Sequence, residues 1–234
     1  MTYFDQKEVS NSDLSWLHSV THPSDKVIDT TAAFRFGNLL DAVITEQHRV
    51  DYFKKTLDGE RCFVNEFDKA EKMKRAFYSD PYCLDFIKQA SFQVVKTDRA
   101  ELEYDSYKFF IQRRCKFDVL RNDNIGSDIK STIAKKESEF IDAIKFFNYD
   151  RQTAWYMDIA KIDYMVIMGI SKHNFKIFKV PINRNSDIYL SGKEKYMSLA
   201  CKWNLMFGET KIWKQKILEL ETFLEVKNGV EFGK

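Results

Sequence analysis

The sequence predicts a mixed α/β (α+β) domain in which a central sheet carries helices on its faces. Three observations lead there. Blocks of helical periodicity alternate with blocks of period two, and the middle of the chain holds strand-like runs rich in Phe, Val and Ile. Only 8 Gly and 3 Pro occur in 234 residues, which leaves little material for long linkers. A 44% apolar content with 20 Phe and 11 Tyr fills a substantial core, and the length suits one domain over residues 1–234. Its core is expected at about 30–180, with a helical C-terminal part at about 185–226.

Taken in order, Ser10-Asn11-Ser12-Asp13 offers caps for a short helix that Pro23 ends. A second helix is expected from Thr31 to about Leu57, because Phe34, Leu39, Leu40, Val43 and Ile44 recur at near-helical spacing before Gly59. Residues 66–89 read as two helices broken near Asp80-Pro81. Strands follow at 91–96, 107–120 and 125–132, the last two joined by a turn at Asn122-Asp123-Asn124. Helical patterning returns at 136–147 and 150–163. A strand pair at 164–171 and 175–180 closes around His173-Asn174, and the last fifty residues read as helical. No internal repeat or low-complexity tract is seen.

The net charge of +2 favours no partner by itself. Residues 171–234 carry 12 Lys plus Arg against 7 Asp plus Glu, so the final third is mildly basic, as a face toward phosphates or an ordinary solvated helix surface would be. No basic segment followed by an apolar run opens the chain, and the longest apolar run, near Tyr164–Ile170, is too short to span a bilayer; a cytoplasmic protein without a membrane partner is expected. Cys62, Cys83, Cys115 and Cys201 are scattered, so neither a zinc site nor an iron–sulfur cluster is expected. Walker-type, dinucleotide-binding and G-x-S-x-G motifs do not occur.

The chemistry gathers around Lys116-Phe-Asp118 and Ile125-Gly-Ser-Asp128-Ile-Lys130. Alternate strand residues share a face, so Asp128 and Lys130 point together while Ile129 points into the core. The turn at 122–124 returns the chain so that Asp118 lies beside Asp128. Two carboxylates and an ammonium suit phosphodiester hydrolysis: hard oxygens hold Mg²⁺, and a lysine steadies developing charge. A D-x-K triplet alone is common by chance, and scattered hairpin charges are its plain alternative.

Asp118 followed by Asp128-Ile129-Lys130 resembles the D…(D/E)xK signature of the PD-(D/E)XK nucleases. Tyr149-Asp-Arg-Gln152-Thr-Ala-Trp-Tyr156 resembles the Q-x-x-x-Y motif of the branch that includes the RecB nuclease domain, lambda exonuclease and exonuclease VIII. Upstream, Val9–Leu14 is similar to the S-x-S-x-L entry of exonuclease VIII-like phage proteins. Phe36-Gly37-Asn-Leu-Leu40-Asp41 through Glu46 is similar to their G-x-x-x-H-x-x-x-x-E helix. Four matches in the family's order span about residues 9–180.

The resemblance implies a restriction-endonuclease-like core with Asp118, Asp128, Lys130, Gln152 and Tyr156 as catalytic residues. Asp41, Asp118, Asp128 and the Ile129 carbonyl are implied ligands of Mg²⁺ or Mn²⁺, with Glu46 an outer or second-metal carboxylate. Gly37 is expected to let its helix pack closely. The implied activity is an exonuclease on duplex DNA ends in recombination or repair, in a bacterial host and phage-encoded. Relatives form rings and work with a single-strand annealing protein. Asp41 stands where the family has His, and the stretch Ser91-Phe-Gln93-Val lacks the family's upstream Glu. Two alternatives therefore stay open: a catalytically weakened DNA-binding or assembly protein, and a structure-selective endonuclease.

Among other candidates, His18 and His22 lack a third ligand nearby and read as surface or capping residues. Trp203, Phe207 and Trp213 could stack on bases but read better as core, as does Trp155.

Overall fold

The computed structural model describes residues 6–22 and 31–208. The elements run α1 (Asn11–Thr21), α2 (Thr31–Thr45), the short strands β1 (Val50–Asp51), β2 (Thr56–Leu57) and β3 (Glu60–Arg61), then α3 (Val64–Ser79) and α4 (Pro81–Ile87). The main sheet follows: β4 (Ala90–Tyr104), β5 (Tyr107–Arg121) and β6 (Ile125–Thr132), the helices α5 (Glu137–Phe146) and α6 (Tyr149–Ala160), then β7 (Tyr164–Ser171) and β8 (Ile177–Asn183). Helix α7 (Asp187–Phe207) ends the described chain. Strands β4 to β8 lie side by side in that order, antiparallel except for the parallel pair β6 and β7. A parallel pair needs a long crossover, and α5 with α6 supplies it.

This is the expected mixed sheet with helices on both faces. Strand β7 shows why: Met165 and Ile167 join a cluster with Leu14, Phe140, Trp155 and Trp203, from α1, α5, α6 and α7. Val166, Met168 and Ile170 join the opposite cluster, with Leu39, Leu40, Phe67 and Phe77 from α2 and α3. A strand covered on both sides must be apolar throughout, which explains the unbroken run at 164–170.

Three sequence expectations are corrected. The helix expected to reach about Leu57 stops at Thr45, because the apolar repeat ends at Ile44. Beyond it the Arg49 guanidinium bridges Glu46 and Asp58 at 2.6 Å each and ties down the β1–β3 meander, whose β2–β3 turn places Asp58 and Gly59 in the left-handed region. Strand β4 runs to Tyr104 rather than Lys96, since its outer half alternates charged with half-buried residues instead of displaying an apolar face. It turns into β5 through Asp105 and Ser106, both at positive φ, as a two-residue hairpin requires. Gly37 serves no close approach, because a Cβ there meets nothing within 4 Å. Trp155, Trp203 and Phe207 are core residues, as expected. Pro23, Trp213 and the rest of the helical tail expected beyond residue 208 lie outside the described residues.

Helices α6 and α7 are locked together by polar contacts as well as apolar ones. Asp158 of α6 accepts from Arg184 Nη1 at 2.5 Å, from the Tyr189 hydroxyl at 2.7 Å and from the Tyr196 hydroxyl. Lys195 Nζ reaches the fully buried Asp150 at 2.8 Å. The backbones approach so closely that a Cβ on Gly192 would fall 2.1 Å from the Asp150 carbonyl oxygen. Gly192→Ala is therefore expected to destabilise the protein by about 1–3 kcal/mol, the usual range for overpacking. Urea denaturation followed by circular dichroism measures this, and an unchanged midpoint would rule out the tight α6–α7 seam.

Candidate active site

The site forms where the sheet comes apart. Strands β5 and β6 pair only at Leu120↔Gly126 and Val119↔Ser127. On the other side of β5, every residue from Tyr107 to Arg121 has a partner in β4 except Asp118, which lies opposite the likewise unpaired Gln93. Both ladders thus break at the same aspartate. A backbone N–H left open by such a break must find another acceptor. Ile129 N–H donates to Asp118 Oδ2 at 2.7 Å, so the carboxylate takes the place of a strand carbonyl.

Asp128 and Lys130 alternate on β6 as expected, and Ile129 between them is buried in the core. Lys130 Nζ meets Asp128 Oδ2 at 2.6 Å, and Gln152 Nε2 of α6 donates to Asp128 Oδ1 at 2.8 Å. The Lys130 ammonium also rests on the Tyr149 ring, 4.9 Å from its centroid. Tyr156, one turn after Gln152, packs edge-on against Phe117 with ring centroids 5.2 Å apart. Glutamine and tyrosine share a helix face but part company: the first reaches the carboxylate, the second enters the core.

Asp41 of α2 is held by a small clasp. Thr45 Oγ1 donates to its Oδ1 at 2.8 Å, and Gln93 Nε2 contacts both its carboxylate oxygens at 3.0 Å. Gln93 stands at φ +54°, a left-handed conformation inside a strand, which costs energy and recurs at functional positions. Its Oε1 is buried and has no hydrogen-bond partner among the described residues. Glu46 is turned to Arg49 instead, although its charge still bears on Asp41.

Electrostatics favour an incoming cation. Burial pushes the Asp118 carboxyl well above the ordinary aspartate range, and the Asp128 and Asp41 charges push the same way; Lys130 and the Ile129 amide offset this only in part. Asp41 is raised as well, by burial first and by Glu46, against the bonds from Thr45 and Gln93. Burial acts to lower Lys130, but the Asp128 and Asp118 carboxylates outweigh it and hold the ammonium above the usual lysine value. Asp118 and Asp128 thus share Lys130 in a dry place, while Lys116 offsets Asp41 only in part. The donors are hard oxygens, so their chemistry and charge fit Mg²⁺ or Mn²⁺. Among the described residues no three His, Cys, Asp or Glu side chains are gathered as a ready metal cage, so the fit lies in donor type and charge.

Sequence reasoning did not single out Gln93, Thr45 or Tyr149 as site residues. Tyr149 lies three residues before Gln152, one helical turn ahead of the Q-x-x-x-Y motif, and that spacing was the available signal. The Gln93 contact depends on a backbone conformation with no sequence signature.

A five-stranded mixed sheet with helices on both faces matches the fold of a solved exonuclease-like structure. The particular likeness is to a crystal structure from Eubacterium rectale, of a protein described as a candidate exonuclease: the TM-score is 0.58 at 17% identity, covering 90% of this chain and 88% of that one. A phage-related exonuclease from Haemophilus somnus aligns with a TM-score of 0.38 at 16% identity, over 84% and 92% of the two chains. LHK-Exo in complex with dAMP aligns with a TM-score of 0.37 at 10% identity, over 95% and 94%. No protein-family model matches the sequence, and no curated protein matches it significantly. Among the described residues, no helix is long and apolar enough to cross a membrane.

Asp118 supplies a test by linkage. A carboxyl whose pKa is raised on folding stabilises the fold least when it is charged, so its contribution is fully present at acid pH and is lost as the pH rises through the folded value. Asp118→Asn keeps an acceptor for Ile129 N–H and removes the charge. It is expected to stabilise the metal-free protein at pH 7–8 by on the order of 1 kcal/mol or more, the scale of an uncompensated buried group. The gain should shrink toward pH 4. Thermal unfolding across that range in chelator decides it; a destabilised variant at neutral pH would contradict the charge balance.

Proposed function

We propose that the protein is a metal-dependent DNA nuclease of the PD-(D/E)XK type, acting as an exonuclease on duplex ends. The observation that carries this reading is the meeting of Asp118, Asp128, Lys130 and Gln152 at the break between β5 and β6. The fold shared with the Eubacterium rectale protein supports the same reading.

In this reading Asp118, Asp128 and the Ile129 carbonyl hold Mg²⁺ or Mn²⁺, with Asp41 at the margin of the same pocket. The bound ion would acidify a water and offset charge on the phosphate. The chain's own residues do the rest. Gln152 fixes the Asp128 carboxylate by its Oδ1, so that its orientation does not depend on substrate. Lys130 remains an ammonium and is therefore a donor rather than a base. One of its three N–H groups meets Asp128, leaving donors for a phosphate oxygen whose charge grows in the transition state. Tyr156 sets the seat of α6 through Phe117.

Linear and covalently closed duplex DNA, each incubated with Mg²⁺ or with chelator, test the proposal. Linear DNA should be degraded only with the metal, and the closed circle should survive. Lys130→Ala should slow the degradation by about 100-fold or more, the scale of losing one transition-state donor. Cutting of the circle would replace this reading with an endonuclease. Binding without cleavage in both Mg²⁺ and Mn²⁺ would favour a DNA-binding protein that keeps the fold.

A further inference from the structure

Beside the site lies an aromatic surface that the hydrolytic machinery does not use. Phe146 ends α5 with 74% of its surface exposed, and Phe147 follows at 57%. Their rings meet edge to face at 4.9 Å. Phe147 then stacks on Tyr149 at 5.7 Å with an interplanar angle of 25°. Asn148 makes this geometry by taking a left-handed conformation, which turns the chain sharply between α5 and α6. Tyr149 is half-buried, and its face carries the Lys130 ammonium that pairs with Asp128. A continuous series of contacts therefore leads from solvent to the centre: Phe146, Phe147, Tyr149, Lys130, Asp128.

We infer that Phe146 and Phe147 form a stacking ledge for unpaired nucleobases at the end of the polynucleotide, next to the phosphate held at Lys130. The inference rests on the nuclease reading and adds to it a contact with bases rather than with the backbone. Three considerations select this occupant. The ledge begins at the ring that bears Lys130, so whatever lies on it is adjacent to the reacting phosphate. Flat aromatic rings accept any base by its π-face, whereas phosphates gain nothing from them. The two rings offer about 150–250 Å² each, well short of the ~800 Å² a side that a stable protein interface buries. Lys145, exposed beside Phe146, places positive charge at the ledge, with Asp142 one turn earlier on α5 opposing it; Lys195, whose Nζ lies 3.5 Å from the Lys145 carbonyl, is already paired with Asp150.

Binding in chelator, where no cleavage occurs, provides the test. Fluorescent duplexes with a short single-stranded overhang are compared with duplexes whose overhang is abasic, and a 2-aminopurine in the overhang reports stacking. The parent protein should bind the base-bearing overhang more tightly and quench the 2-aminopurine. Phe146→Ala with Phe147→Ala should weaken that complex on the order of tenfold and restore the fluorescence, while affinity for the abasic duplex stays the same. Phe147→Trp should retain the tight binding, which separates stacking from general damage to the fold. Equal affinity of parent and double variant for both overhangs would overturn the ledge and leave the nuclease reading intact. Failure of the parent to bind any DNA would remove both. If the double alanine variant instead converts a sedimenting dimer to monomer without altering base preference, the rings join copies of this chain and the inference is wrong.

Discussion

Everything at this site depends on a broken β-ladder. Paired strands satisfy their own backbone groups and leave no room between them; here β5 loses its partners on both sides at Asp118. The open Ile129 N–H then draws in a carboxylate that burial would otherwise exclude. Placing a charged group in a dry crevice costs energy that a continuous sheet would not incur. The flanking sheet is rigid enough to hold it there, with β7 buried on both faces just beyond β6.

The same break orders the charges around it. Lys130 is the cation that bears on Asp118 and Asp128, and its ammonium is divided between Asp128 and the face of Tyr149. It steadies Asp128 and leaves Asp118 under-compensated. On the far side Gln93 and Thr45 hold Asp41 through neutral hydrogen bonds, which orient its carboxylate without cancelling its charge. Asp41 of the helix is thus set against Gln93 of the strand.

Much of this was legible in the sequence for identifiable reasons. Strand β6 and the pair Asp128 and Lys130 followed from period two, and the turn at 122–124 brought Asp118 alongside. The boundary at Asp80-Pro81 was readable because proline fixes a helix start, and Asp80 indeed caps α4 by accepting from Cys83 N–H. The end of α2 was missed because a polar stretch after Ile44 resembles a solvated helix face as much as a meander. The length of β4 was hidden by its charged outer half. Gln93 was passed over as a missing carboxylate, since its left-handed backbone and its reach to Asp41 arise only from tertiary structure.

The N-terminal segment acts on the site from a distance. Arg114 of β5 donates to the carbonyls of Gln6 and Glu8, and Val9 bridges to Arg113. Arg151 of α6, which burial lowers to about 10, donates to Asn11 at 3.0 Å and to the Ser15 hydroxyl. Arg151 immediately precedes Gln152, so the helix that grips Asp128 is itself gripped by residues about 140 positions earlier. Such a closure spans most of the polypeptide and is entropically expensive, which favours its formation after the local hairpins. Seating of α6 is thereby tied in part to the docking of the first helix: a chain clipped of that helix loses the Asn11 and Ser15 acceptors of Arg151, and with them one anchor of the helix that carries Gln152.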